Sequence, residues 1–295
     1  MTRTAIRLLI VFWLPFSSAA WLPAQSLSAD RFLDGLSSHP VGEQLELQQT
    51  GEIYQALIVA PASEVERVVP AVLRYARPGN QANVRAHALG FLLAITARPD
   101  GADLLSSKSE EISSLLSDVD PNIQTSIAGT IEILMMQPAT NTKPYVVALT
   151  AAIQDRRTPQ DVIVERMIPP LLTYGRDDPR VAAAALAFVH RGDLTASTRS
   201  ALVNTLSSVP DLPEGVNRYL VERLDDSDPH VRGVAVVAYP DSTTAYHAAA
   251  KGRVERMATD PREDPRVREL AKEAIEGKTS SNPNIDLPPY TQHDR

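Results

Sequence analysis

From about residue 60 onward, apolar residues recur three, four, seven and eight positions after a Val or Ile, the spacing of a single face of an α-helix. Five stretches superimpose when aligned on Val84, Ile123, Val181, Val231 and Val267. After Val84 the stripe reads His87, Ala88, Phe91 and Leu92; after Val267 it reads Leu270, Ala271, Ala274 and Ile275. The position four residues on is Ala88, Ile127, Ala185, Ala235 or Ala271, mostly a small side chain that lets a neighbouring helix approach. Other periodic segments lie between, among them SEVERVVPAVLRYA (63–76), KPYVVALTAAIQ (143–154), ASTRSALVNTLSS (196–208) and EGVNRYLVERLDD (214–226). Their connections are short and contain Pro, Gly, Asp or Asn. No segment alternates as a strand does, and aromatic residues are only 5%. The pattern predicts an all-α protein.

Helices that arrive in pairs, with a similar second helix each time, predict a stacked array, because one pair cannot bury its apolar face without neighbours. The anchors are 39 (84 to 123), 58 (123 to 181), 50 (181 to 231) and 36 (231 to 267) residues apart. The first and last spacings suit one pair per unit, and the longer two imply extra helices or a degenerate unit such as ASTRSALVNTL. Asp120, Asp178, Asp228 and Asp264 each precede a proline and stand three residues before an anchor. That places Asp at the N-cap, where its carboxylate accepts an amide of the first turn. It places Pro at the first helical position, where a missing N–H removes no intrahelical bond.

These segments resemble HEAT repeats of the short Asp-Pro-x-Val-Arg type also found in the HEAT-like repeats of phycobilin lyases. The resemblance spans about residues 60–277 and implies an α-solenoid (superhelix) of stacked antiparallel helix pairs, HEAT/armadillo-like. It further implies a ladder of Asp and Arg along the stack, with second helices lining an inner, ligand-facing surface. Asp228 with Arg232 and Asp264 with Arg268 match in full. Asp178 is followed by Ala182 and Asp120 by Gln124, so half of each pair is missing.

The ends read differently. Arg3 and Arg7 precede the apolar run LLIVFWLPF and small residues, the order of a signal peptide cleaved after Ala20 or Ala24. A run broken by Pro15, Ser17 and Ser18 is short of a membrane span, so residues 1–24 predict export to the periplasm or extracellular space without a stable anchor. Residues 25–60 are expected to hold a capping helix, and 61–277 the solenoid. Residues 278–295, KTSSNPNIDLPPYTQHDR, have no helical period and are expected to be a disordered tail, with NIDLPPY either solvated or a short docking motif. Cysteine is absent, which excludes disulfides, thiolate metal sites and a cysteine nucleophile. A net charge of −7 argues against nonspecific nucleic-acid binding.

Candidate chemistry is sparse. The six histidines show neither HExxH nor HxH spacing, and no GxSxG, P-loop or GxGxxG stretch occurs. His87 falls on the buried stripe and reads as a core residue; His190 ends the apolar helix VAAAALAFV. Apolar residues off the main stripe, Leu89, Leu93, Leu186, Val236 and Val237, together with His190, either tighten packing between units or form an apolar inner groove for a partner. The expected function is a non-catalytic scaffold that binds a protein or peptide, with no cofactor and no metal. The alternative is a lyase-like or other enzyme with a dispersed site.

Overall fold

The computed structural model describes residues 29–38, 43–138, 140–240, 244–278 and 287–290. The expected signal peptide lies outside the described residues, as do 279–286 and 291–295. Among the described residues no strand forms, and the helices stand in two layers. The first layer contains α1 (Ala29–Ser38), α3 (Ala62–Ala76), the broken pair α5 (Gly101–Leu105) and α6 (Ser109–Ser114), and α8 (Lys143–Gln154). It continues through α11 (Pro179–Val189), α13 (Glu214–Glu222) and α15 (Thr244–Met257). The second layer contains α2 (Glu43–Val59), α4 (Ala82–Thr96), α7 (Pro121–Met136), the compound α9–α10 (Gln160–Val162 and Ile168–Tyr174), α12 (Ala196–Leu206), α14 (Pro229–Ala238) and α16 (Pro265–Ile275). Each helix packs on its neighbours within the layer, and the core runs between the layers. This is an α-solenoid of antiparallel helix pairs.

The repeat is more regular than the aligned Val and Ile positions suggest. The second-layer N-caps are Gln81, Asp120, Pro159, Thr195, Asp228 and Asp264. Successive caps are 39, 39, 36, 33 and 36 residues apart, from 81 to 120 through 228 to 264. Val181 does not belong to this series. Its helix, α11, packs against α8, α10 and α13 and so is a first-layer helix, although Asp178 and Pro179 begin it with the same local chemistry. ASTRSALVNTL is not a degenerate fragment but the full second-layer helix α12. Within α9–α10, Ile163–Met167 is π-helical. Pro169 and Pro170 follow at once and have no N–H to continue the i→i−4 ladder, which accounts for the register change.

The four expected caps form: Asp120, Asp178, Asp228 and Asp264 accept the amides of Asn122 (2.9 Å), Arg180 (2.9 Å), His230 (2.8 Å) and Arg266 (2.8 Å). The closer ladder contacts, however, go to other acids, Asp120 meeting Arg85 only at 3.9 Å. Arg85, Arg199 and Arg232 each stand four residues after a second-layer cap. Their guanidinium groups reach Asp118, Asp226 and Glu263, one or two residues ahead of the next cap. Asp226 accepts from Arg199 Nε and NH2, both at 2.9 Å, from Arg223 NH1 at 2.9 Å, and from the backbone N–H of Asp228 at 3.0 Å. Asp118 and Glu263 likewise accept the N–H of Asp120 (2.9 Å) and Asp264 (2.8 Å). Each carboxylate thus ties the arginine of one unit to the cap of the next. Arg268, in the final second-layer helix, donates to the carbonyl of Asp260 instead (3.3 Å).

A second clasp closes the opposite ends of the second-layer helices. Arg98 and Gln137 both stand seventeen residues after a cap. Arg98 donates to the carbonyls of Leu57 (2.6 Å) and Ile58 (3.0 Å), and Gln137 to that of Thr96 (2.6 Å). These carbonyls end the preceding second-layer helix and have no partner within it. The His87 ring sits at the same seam, against Glu46 and Thr50 of α2 with its edge on Phe32 of α1.

Asp226 is 2% exposed at its side chain, so Asp226→Ala removes the carboxylate that two largely covered arginines share. The expected loss in urea unfolding is about 3 kcal/mol. Asp264→Ala removes a cap alone and is expected to cost about 1 kcal/mol. Equal losses for the two variants would contradict the rung.

Candidate functional site

The residues expected to share one inner groove occupy three separate places. Leu186 and His190 are on first-layer α11, exposed, away from the second-helix face. Leu186 lies over Gly215 of α13, with Cδ1 2.8 Å from where a Cβ would stand, and His190 meets the Tyr219 ring edge-on at 6.1 Å. Val236 is fully buried in the core. Leu186, His190 and Val236 therefore pack between units, because the layer exchange of α11 and the inward turn of Val236 take them off that face. Leu89, Leu93 and Val237 remain on or beside it.

Counting from each cap shows what this face is made of. Five residues on stand Ala86, Thr125, Ser200, Gly233 and Glu269; nine residues on stand Gly90, Gly129, Asn204, Val237 and Glu273. The π-helical unit departs from the series, its Val164 being buried. Between α4 and α7 these positions are small, and they open a groove of about 350 Å³. Leu93 and Ile133 form apolar walls, and Gly90 and Gly129 a floor with nothing within 4 Å of an added Cβ. At one end Glu132 faces Arg166, carried in by the π-helical stretch, at 3.7 Å. Burial pushes the Glu132 carboxyl up, and the Arg166 charge opposes the shift. The groove thus offers apolar walls, an open backbone and one charged pair, the ingredients for an extended chain.

Farther along the same face, part of the expected disordered tail is packed. Pro288 is buried and Leu287 joins the edge of the core. The carbonyl of Pro288 lies 2.7 Å from His230 Nδ1, Tyr290 stacks on the His230 ring at 3.8 Å, and its hydroxyl lies 2.9 Å from Ser200 Oγ. Polar composition predicts disorder, yet residues 287–290 meet a ring, a hydroxyl and a bare backbone that hold them; no compositional reading sees those remote partners. His230, Ser200 and Gly233 are site residues that sequence reasoning did not select. The one signal was a glycine inside an amphipathic helix, which marks a close backbone approach.

Among the described residues no group of three His, Asp or Glu side chains is placed to hold a metal ion, and no helix is long and apolar enough to cross a membrane. Because the groove floor is open, Gly90→Ala and Gly129→Ala are each expected to raise stability by about 0.5–1 kcal/mol in urea unfolding. Destabilisation by either would mean that the floor is closed.

No protein-family model and no curated protein matches the chain. Solved structures similar to it include a designed armadillo repeat protein, at 15% identity and a TM-score of 0.35, with 86% of this chain and all of the other covered. Another is described as computationally designed armadillo repeat proteins for modular peptide recognition, at 16% identity and 0.35, with 85% and 99% covered. A third is an engineered protein at 18% identity and 0.31, with 86% and 97% covered. Superposition at these TM-scores is poor, and the assignment to an α-solenoid rests on the two-layer packing of the helices.

Proposed function

We propose that the protein is an exported binding scaffold, without catalytic groups of its own, that takes a protein or peptide partner along the face of its second helices. The observation that carries this reading is the seat of residues 287–290. Residues 287–290 lie against Ser200 of α12 and His230 and Gly233 of α14, and Ser200 and Gly233, five residues after their caps, match Ala86 and Thr125 in the open α4–α7 groove. A surface that accepts one extended segment through a ring, a hydroxyl and a glycine has the features for accepting another. Repeat arrays gain affinity by adding such modest contacts along their length. Export is supported by the charge-then-apolar order of residues 1–24. On α16 the face is charged, with Arg266, Glu269 and Glu273.

A photo-crosslinking amino acid at position 90 or 129, introduced in cells, is expected to give a discrete protein or peptide adduct. The same probe at Glu66, exposed on first-layer α3, is expected to give none. Adducts from α3 alone, or from neither layer, would contradict the reading.

A further inference from the structure

We propose that the surface of α12 and α14 around His230 is a recognition site for a Leu-Pro-Pro-Tyr type segment in an extended partner, and that the chain's own residues 287–290 mask it in cis. The proposal rests on the second-helix face being the binding face. It goes further by naming the partner chemistry and a built-in competitor.

Each contact selects a feature of the segment. A proline carbonyl only accepts, so the 2.7 Å contact requires the proton on His230 Nδ1. Ser200 Oγ donates to the carbonyl of Ser197 at 2.9 Å, so Tyr290 donates its hydroxyl to Ser200; phenylalanine in its place lacks that bond. The Tyr290 ring lies 29° from the plane of the imidazole at 3.8 Å, a stack that a smaller side chain cannot form. Gly233 leaves the space that Pro288 and Leu287 fill: a Cβ there would stand 3.2 Å from Pro288 Cδ and 3.3 Å from Leu287 Cδ2. Tandem prolines suit the seat, since they have no N–H to strand against an apolar surface and their backbone is already extended.

The geometry favours masking in cis over exchange between copies. Residues 278 and 287 are nine apart, a reach of about 30 Å when extended. Leu287 sits at Gly233 of α14, one helix spacing of about 8–10 Å from α16. A connection of this length holds its ligand at high effective concentration. A partner with the same chemistry must displace the tail, which lowers its apparent affinity by the fraction of time the site is open.

The test uses the full chain and a fluorescent peptide, IDLPPYT, read by anisotropy. Tyr290→Ala, which unfastens the tail without touching the site, is expected to bind the peptide about tenfold more tightly than the unaltered chain. Adding His230→Ala to Tyr290→Ala is expected to cost about tenfold, and the peptide IDLPPFT to bind less well than IDLPPYT. Pro288→Ala with Pro289→Ala serves as a second unmasking variant. Equal binding by the unaltered chain and both unmasked variants, or no loss with His230→Ala, overturns the proposal. A dimer of the unaltered chain that Tyr290→Ala dissolves in sedimentation also overturns it, since the tail then seats in a second copy. Crosslinks at positions 90 and 129 without any effect of Tyr290→Ala would sink this inference while leaving the binding face in place.

Discussion

A helix pair in this protein has apolar surface on both flanks, and only the next pair can cover it. Ala88, Ile127, Leu202, Ala235 and Ala271, each seven residues after a second-layer cap, are all fully buried at those seams. Mostly small side chains there bring second-layer helices close, and closeness is what the other devices exploit. The caps set where each helix begins, so that its stripe meets the stripe before it. Stability in such an array is close to a sum of unit and nearest-neighbour contributions, so the seams decide whether the stack exists at all.

Close approach also brings polar groups into places that water reaches poorly, and the chain meets this with the same few residue types. A carboxylate ahead of three of the caps, Asp120, Asp228 and Asp264, is shared between a guanidinium of one unit and a backbone N–H of the next, as Asp226 is. A buried charge is tolerable when its geometry is good and its remaining hydrogen-bonding capacity is used. Arg98 and Gln137 do the corresponding work for the carbonyls at the other end. With the seams closed by these bonds, the residues five and nine after each cap are released from structural duty. They are glycine, alanine, serine and threonine in several units, which leaves backbone within reach of a visiting chain.

What was legible in the sequence was local. Helix class, the Asp-Pro starts and the apolar stripe depend on residues within one or two turns of each other, and they appear where the periodicity puts them. Layer assignment is not local. Asp178-Pro179 caps α11 with the chemistry that starts α7, α14 and α16, and a cap does not tell which side of the stack its helix joins. The second-layer place of two other periodic helices was hidden for the converse reason, since Pro159 and Thr195 occupy the cap where an Asp would have announced it. The ladder acids were missed because a capping carboxylate already engages its own first turn. The seat of Tyr290 depends on Ser200 and His230, 90 and 60 residues away, and no periodicity links them.

The central claim is that the second-helix face holds extended polypeptide, with the chain's own residues as its resident occupant. A nuclear Overhauser measurement with tyrosine and histidine rings selectively labelled tests it most directly. Cross-peaks are expected between the ring protons of Tyr290 and His230, present at every protein concentration and lost on addition of excess IDLPPYT peptide. Absence of those cross-peaks in the folded, unliganded chain would contradict it.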